Sequence, residues 1–136
     1  MSATRHQGSC LCGEVRFEVQ GGFEGFFCCH CSRCRKGTGS AHGANLFASE
    51  ATLSWRAGEA MVRTYAVPGA RHVRAFCERC GGALPVVQGR MVVVPAGCLD
   101  SPVELRPQAH IFCASGADWE EGLGEAPRFD ALPVTP

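Results

Sequence analysis

The chain has 136 residues, 46% of them hydrophobic and 19% charged, and its formal net charge is zero. This length fits one domain, residues 1–136, with a core of its own, and the charge balance gives no sign of a nucleic-acid or acidic-membrane surface. No apolar run approaches the ~20 residues of a membrane span, and the start of the chain lacks a secretory signal pattern. We therefore expect a cytoplasmic protein that binds neither nucleic acid nor membrane.

Short strands separated by glycine turns dominate the predicted secondary structure. Residues 13–19 alternate apolar and charged side chains, which indicates a half-buried strand. Similar stretches follow at 43–49, 50–55, 61–67 and 71–77. The continuous apolar run at 91–97 is typical of a fully buried strand, and two shorter candidates lie near 104 and 110. The turn signals between these segments favour an antiparallel all-β fold.

Two segments look helical. One is the turn at 30–37, HCSRCRKG, and the other is a turn at 115–122, SGADWEEG, where Ser115 could act as a cap. We expect the first eight residues to be frayed and the proline-containing tail from about 124 to 136 to pack loosely. Residues 1–8 and about 124–136 are thus predicted to be peripheral to the domain.

Ten cysteines are unusual in a chain of this length. In a reducing cytoplasm they favour metal binding over disulfides. Cys10 with Cys12, and Cys77 with Cys80, each form a short turn beside a strand, and a tetrahedral zinc commonly takes two sulfurs from each of two such turns. This pairing predicts a structural Cys₄ zinc. The alternative for Cys77 and Cys80 alone is a thioredoxin-like dithiol, which normally opens a helix in an α/β fold.

A second group of cysteines is crowded into residues 28–34. From Cys29 the spacing C-x-C-x-x-C gives three sulfurs that one turn can aim at a point, and three protein ligands with an open position are typical of catalytic zinc. Cys28 could be a fourth ligand, but it is adjacent to Cys29 in an extended stretch, so we expect it to face the other way as a buried thiol. His30 should also face away as a surface or hydrogen-bonded histidine, with a supporting role at the site as the alternative.

These motifs together resemble a known family. CHCSRCRKGTG, preceded by GSCLCGEVRFEV and followed by RAFCERCGGAL and VPAGCLDSPVELRPQAHIFCASGADW, is similar over residues 8 to 130 to the glutathione-dependent formaldehyde-activating enzymes, which include centromere protein V. The resemblance implies an all-β, Mss4-like β-tent of short antiparallel strands stapled by zinc. By position it assigns a structural zinc to Cys10, Cys12, Cys77 and Cys80, and a catalytic, labile zinc to Cys29, Cys31 and Cys34.

The resemblance also implies a reaction. Zinc held by three thiolates is suited to keeping a fourth thiol in its nucleophilic thiolate form. Glutathione would supply that thiol and formaldehyde the carbon, giving S-hydroxymethylglutathione. Because the reverse step breaks a carbon–sulfur bond, the expected activity is that of a carbon–sulfur lyase acting on a glutathione adduct, with a small-molecule thiol as substrate.

Basic residues surround the predicted catalytic turn. Arg33, Arg35 and Lys36 could pair with the two carboxylates of glutathione. The alternative is a solvated basic turn that only offsets thiolate charge. Arg71 and Arg74 are less favoured, because residues three apart on a strand face opposite sides.

Other polar and sulfur residues near the end of the resemblance have simpler explanations. Asp100 lies in an Asp-Ser-Pro turn signal and should be a structural acceptor. His110 and Trp119 match family positions, although buried packing explains them equally well. Cys98 and Cys113 are predicted to be small core residues.

Two other functional classes remain open from the sequence. A zinc-stabilised binding module without catalysis would need only the Cys₄ site, and the second cysteine cluster is what distinguishes an enzyme from it. An enzyme resembling methionine sulfoxide reductase would need a reactive free cysteine in a polar setting. Cys98 and Cys113 lie in apolar stretches, which disfavours that reading.

Overall fold

The computed structural model describes residues 4–133. Within them the fold is all-β, as predicted, with one α-helix and five single turns of 3₁₀-helix. The strands are β1 Arg5–Ser9, β2 Arg16–Gln20, β3 Gly25–Cys29, β4 Gly43–Ala48, β5 Thr52–Ala57, β6 Val62–Ala66, β7 Val73–Cys77, β8 Ala83–Leu84, β9 Val86–Gln88, β10 Met91–Pro95 and β11 Ala109–Ile111. The helix is α1 Ser32–Thr38, and the 3₁₀ turns are Glu59–Met61, Ala96–Cys98, Cys113–Ser115, Asp118–Glu120 and Leu123–Glu125.

The strands form three small sheets. Their orders are β1-β2-β5, β11-β3-β4-β10-β9 and β6-β7-β8. Every strand pair in these sheets is antiparallel except β11 with β3, which runs parallel and aligns His110 with Cys28. The expected purely antiparallel arrangement is therefore wrong at β11. This strand reaches β3 after a long connection from β10 and not through a hairpin, so its direction is not constrained to be antiparallel.

The core lies where the buried faces of these sheets meet. Phe17 and Val19 of β2 are almost fully buried, as the alternation predicted, and the Phe17 ring meets Trp55 edge-on at a centroid distance of 6.0 Å. Glu18 between them is buried as well, which the alternation did not predict, and its carboxylate accepts a hydrogen bond from Arg56 at 2.8 Å. In β10, Val92 and Val94 are buried whereas the residues between them are partly exposed, so this strand is not buried on both faces as expected. Each such fully buried side chain contributes about 1.5–3 kcal/mol through the hydrophobic effect.

The expectation that the first eight residues are frayed is wrong for residues 5–8, because they belong to the β1-β2-β5 sheet. Residues 5–9 form β1, which pairs with β2 and buries His6. The Gln7 carbonyl accepts the backbone N–H of Asp100 at 2.7 Å, and Ser9 Oγ donates to the Asp100 carboxylate at 2.6 Å. Asp100 is thus a structural acceptor, as predicted, that ties the chain after β10 to β1. The part of the N-terminal prediction that covers residues 1–3 lies outside the described residues.

Helix α1 lies where the sequence predicted a helical turn. The second predicted turn contains only the 3₁₀ turn Asp118–Glu120, and Ser115 makes no side-chain cap there. No strand forms at 104–107, while β11 corresponds to the candidate near 110. Residues 124–133 are exposed along their whole length, and 134–136 lie outside the described part of the chain. Among residues 4–133, no helix has the length and apolar character required to cross a bilayer.

A substitution at Gly8 of β1 tests whether this strand packs tightly against Phe17 and the residues around Cys98. A methyl group at Gly8 would overlap the Phe17 ring and come within 2.6 Å of the Cys98 carbonyl oxygen. We expect Gly8→Ala to lower the free energy of unfolding by about 1–3 kcal/mol through overpacking, measured by urea denaturation. Gly22→Ala is the matched control, because a methyl group at Gly22 has nothing within 4 Å. Equal midpoints for the two variants would mean that β1 is not docked as described.

Candidate functional site

Four thiols converge from two distant turns. Cys10 and Cys12 lie between β1 and β2, Cys77 ends β7, and Cys80 lies in the turn that follows. Their sulfurs lie within 4.8 Å of one another, with Sγ–Sγ distances of 3.6 Å for Cys10–Cys12 and 4.0 Å for Cys12–Cys77. In a tetrahedral site with metal–sulfur bonds of about 2.3 Å, the sulfurs are about 3.8 Å apart. The spacing therefore fits a metal ion such as zinc.

Backbone N–H groups point at these sulfurs. Val15 N donates to Cys10 Sγ at 3.3 Å, and Gly82 N donates to Cys80 Sγ at 3.4 Å. Although burial acts to raise it, the pKa of Cys80 falls to about 6, because the backbone N–H groups of Cys12 and Gly82 donate to its sulfur. The Glu14 N–H acts to lower the pKa of Cys12, yet burial and the neighbouring thiols raise it to about 11. Ionising Cys12 near neutral pH thus requires a nearby positive charge, which a bound cation would supply.

Three further thiols meet at the start of α1. Cys29 ends β3, Cys31 is the N-cap of the helix, and Cys34 lies in its first turn, with all three sulfurs within 4.8 Å of one another. Cys31 Sγ accepts the Cys34 N–H at 3.4 Å, which fixes its direction. Gly43, the β4 partner of Cys29, leaves room for the cluster: a methyl group there would lie 3.4 Å from Cys34 Sγ.

The three thiols differ in acidity. Burial raises the pKa of Cys29 and of Cys34 above the ordinary value for a thiol. Burial also acts to raise the pKa of Cys31, but the Cys34 N–H and the two neighbouring thiols together bring it below its ordinary value. Cys31 is thus the first of the three to ionise, and a cation would be needed to hold all three as thiolates.

Cys28 lies on the opposite face of β3 from Cys29, and it is buried as predicted. Its surroundings are not apolar, however, because its sulfur and one ring nitrogen each from His42 and His110 lie within 4.8 Å of one another. His30 also faces this side, where its Nδ1 lies 3.0 Å from Glu120 Oε2 and its Nε2 lies 2.7 Å from His110 Nδ1. The sequence reasoning predicted a hydrogen-bonded His30 but missed the group around it, and alternation from Cys28 to His30 was the available signal.

The predicted substrate-binding residues have different surroundings. Arg33 and Lys36 are exposed, and no side-chain partner for them is found within residues 4–133. Arg35 is partly buried, and its Nε donates to the Ser115 carbonyl at 3.2 Å, so it fastens α1 to the turn after β11. Arg74, which the sequence reasoning disfavoured, runs alongside the helix, with its Cδ 3.4 Å from where a methyl group on Gly37 would lie.

Arg33 and Arg74 both lie close enough to His72 to change its pKa. Burial chiefly lowers the pKa of His72, and the positive charges of Arg33 and Arg74 lower it further. The Arg74 guanidinium also lies 5.2 Å from the centroid of the Phe76 ring. Arg33, Lys36 and Arg74 therefore form a basic surface along one side of α1, which we call the α1 basic surface.

Some peripheral predictions require correction. Cys113 and Trp119 are both exposed, Trp119 by 60%, so neither is a core residue. Cys98 is partly buried, and burial raises the pKa of its thiol to about 12, which makes it a poor nucleophile. Cys98 therefore lacks the readily ionised thiol that an enzyme resembling methionine sulfoxide reductase would need.

A surface concavity lies away from the three thiols at the start of α1. Its volume is about 590 Å³, and it runs over β1 and β2, lined among others by Ser9, Arg16, Arg56 and Asp100. None of the three thiols at the start of α1 lines it. The three thiols at the start of α1, and not this concavity, are therefore the candidate catalytic centre.

Comparison with known proteins covers most of the chain. A model of the family described as glutathione-dependent formaldehyde-activating enzyme matches residues 5–115. The chain is 35% identical over 127 residues to a Halomonas elongata protein provisionally named as such an enzyme, covering 85% of this chain and 79% of that protein. A crystal structure of a Rhodobacter sphaeroides protein is similar with a TM-score of 0.57 and 26% sequence identity, covering 76% of this chain and 98% of that chain. The family match includes both cysteine clusters.

The four-thiol cluster leads to a prediction about stability. Removing one thiol should release the metal, and in small metal-bound folds the binding free energy is also folding free energy. We expect Cys77→Ala to lose one metal equivalent and its cooperative thermal transition, and the parent to become as unstable when treated with a strong chelator. Metal analysis and circular dichroism melts measure both effects. Cys113→Ala, an exposed thiol outside the clusters, should melt like the parent. A Cys77→Ala protein with parental melting would exclude a structural metal here.

Proposed function

Because the chain belongs to the glutathione-dependent formaldehyde-activating enzyme family, we propose that it is a zinc-dependent carbon–sulfur lyase acting on S-hydroxymethylglutathione or a similar glutathione adduct. The observation that carries this proposal is the convergence of Cys29, Cys31 and Cys34 within 4.8 Å at the start of α1. Three ligands from one short segment leave a tetrahedral ion one position for a substrate.

The two thiol clusters are proposed to have different roles. Cys10, Cys12, Cys77 and Cys80 would hold a structural zinc, because four thiols complete its coordination and leave no position for a substrate. Cys29, Cys31 and Cys34 would hold the catalytic zinc, and their three negative charges suit it to a soft ligand. When bound there, zinc supplies a positive charge that favours the thiolate form of a glutathione sulfur.

The reaction balances with glutathione and formaldehyde alone, and it needs no oxidant or reductant. The glutathione sulfur attacks the carbonyl carbon of formaldehyde, a carbon–sulfur bond forms, and the carbonyl oxygen takes up the proton that the thiol has lost. In the lyase direction the hydroxyl proton returns to sulfur as the carbon–sulfur bond breaks. The protein contributes by holding sulfur and carbon in contact, since positioning alone can supply a large share of such an acceleration.

The α1 basic surface is proposed to orient glutathione. Arg33 and Lys36 are on the same helix as Cys34, and Arg74 lies beside Gly37 of that helix. The two carboxylates of glutathione are the complementary groups. Arg35 is assigned a mainly structural part, because its Nε is already bonded to the Ser115 carbonyl. Its remaining N–H groups could still contact a carboxylate.

A binding module without catalysis is the second candidate. Such a protein would need the four-thiol cluster for stability, but it would have no use for three further thiols gathered at a helix start. The three-thiol cluster therefore favours the enzyme. Loss of activity on removal of one of these thiols is the measurement that separates the two.

We expect Cys31→Ala to reduce the acceleration of formaldehyde exchange with glutathione at least about 100-fold. Exchange spectroscopy by NMR measures this rate directly, because the uncatalysed reaction is reversible and provides the baseline. The variant should also carry less zinc than the parent and keep its thermal transition, since Cys31 is only partly buried. Cys113→Ala is the matched control. A Cys31→Ala protein that accelerates exchange as the parent does would exclude the proposed centre.

The role of the α1 basic surface can be tested by comparing glutathione with a thiol substrate that has no carboxylates. We expect Arg33→Ala to raise KM for glutathione about 1.4- to fivefold, because one exposed ion pair is worth about 0.2–1 kcal/mol. With cysteamine, a thiol without carboxylates, the same variant should behave like the parent. Arg90→Ala, which removes an exposed arginine elsewhere, is the control. An equal loss with both thiols would show that Arg33 does not bind a carboxylate.

A further inference from the structure

The face of β3 opposite the three-thiol cluster carries a second set of ligand-type side chains. Cys28 pairs across the sheet with Ala44 of β4 and with His110 of β11. Because side chains alternate along a strand, His30 lies on the same face as Cys28, and His42 lies on the same face as Ala44. Three histidines and one thiol therefore share this face, and none of them has a part in the proposed reaction.

The distances suit a cation. Cys28 Sγ and one ring nitrogen each from His42 and His110 lie within 4.8 Å of one another, and the histidine rings are 6.0 Å apart between centroids. Among the described residues, His42 Nδ1 is buried and makes no hydrogen bond. A buried polar atom without a partner is unfavourable, and a metal ion bound to this nitrogen would give it one.

The hydrogen bonds around His30 fix which nitrogen of His110 is available. An ionised Glu120 can only accept, so His30 Nδ1 donates to it, and the His30 hydrogen bond lowers the pKa of Glu120, which favours ionisation. His30 Nε2 is then the acceptor for the His110 Nδ1–H at 2.7 Å. His110 Nε2 is left with an unshared electron pair. This arrangement extends the carboxylate–histidine pattern that orients metal-bound histidines in many sites.

We propose that Cys28, His42 and His110 form a metal site separate from the two thiol clusters, with Glu120 and His30 as the residues that orient His110. One sulfur and two imidazole nitrogens suit a borderline divalent cation such as Zn²⁺ or Co²⁺, and not Mg²⁺ or Ca²⁺. Binding releases the Cys28 thiol proton to solvent. His110 is exposed, so the ion has a route to the site, and three ligands leave a fourth position open.

The test is the cobalt stoichiometry of the whole protein, because cobalt reports sulfur ligation through charge-transfer absorption. We expect His110→Ala and Cys28→Ser each to bind one Co²⁺ fewer than the parent, and Cys31→Ala to lose a different equivalent. The double variant with both Cys28→Ser and Cys31→Ala should lose both. His110 is exposed, so its replacement leaves the core intact, and His72→Ala controls for loss of a histidine elsewhere.

The orienting residues provide a second measurement. We expect Glu120→Gln to weaken cobalt binding at this site up to about 10-fold. Direct hydrogen-bond partners of metal-binding histidines change affinity about 10- to 100-fold, and Glu120 acts on His110 one step further away, through His30. Glu121→Gln, an exposed neighbour, should bind cobalt like the parent. Parental stoichiometry and spectra in both His110→Ala and Cys28→Ser would overturn the proposal, and that result would leave the proposed lyase activity unaffected because Cys31→Ala tests it independently.

Discussion

The meeting of four sulfurs from turns 65 residues apart is the constraint on which the rest of the molecule depends. It joins the β1-β2-β5 sheet to the β6-β7-β8 sheet, and Cys77 is at the same time a fully buried member of the core. Each of these sheets has only three strands, close to the smallest number that gives a sheet independent stability. The approach of the two turns therefore joins these sheets around a shared core, to which Cys10 and Cys77 both belong.

Strand β3 gives the molecule two chemically different surfaces within five residues. Its alternation sends Cys29 toward α1 and Gly43, while Cys28 is turned toward the histidines. One side is rich in soft sulfur donors, and the other combines a thiol with imidazole nitrogens. A strand places adjacent side chains on opposite faces. Cys28 and Cys29 therefore cannot bind the same ion while β3 keeps its place in the sheet.

Local sequence patterns were sufficient to predict the features that depend only on residues close together in the sequence. The alternation of β2, the turn that becomes α1 and the C-x-C-x-x-C grouping are all set within a few positions. Strand β1 was missed because RHQGS has almost no apolar residues, and its order comes from pairing with β2 and from Asp100. Likewise β8 and β9 are too short for a periodic signal. The approach of His42 and His110 to Cys28 was missed because it depends on the parallel pairing of β11, which no local pattern encodes.

That parallel pairing also has a consequence for the order of events during synthesis. Until β11 is added, β3 is the edge of its sheet, and it exposes the unpaired backbone of GFFCC. At about 5–20 residues per second, the roughly 80 residues between the two strands take about 4–16 s to emerge. For that interval the growing chain presents an apolar, thiol-bearing edge to other nascent chains. We therefore expect the yield of folded protein, more than its final stability, to depend on how quickly residues 109–111 become available.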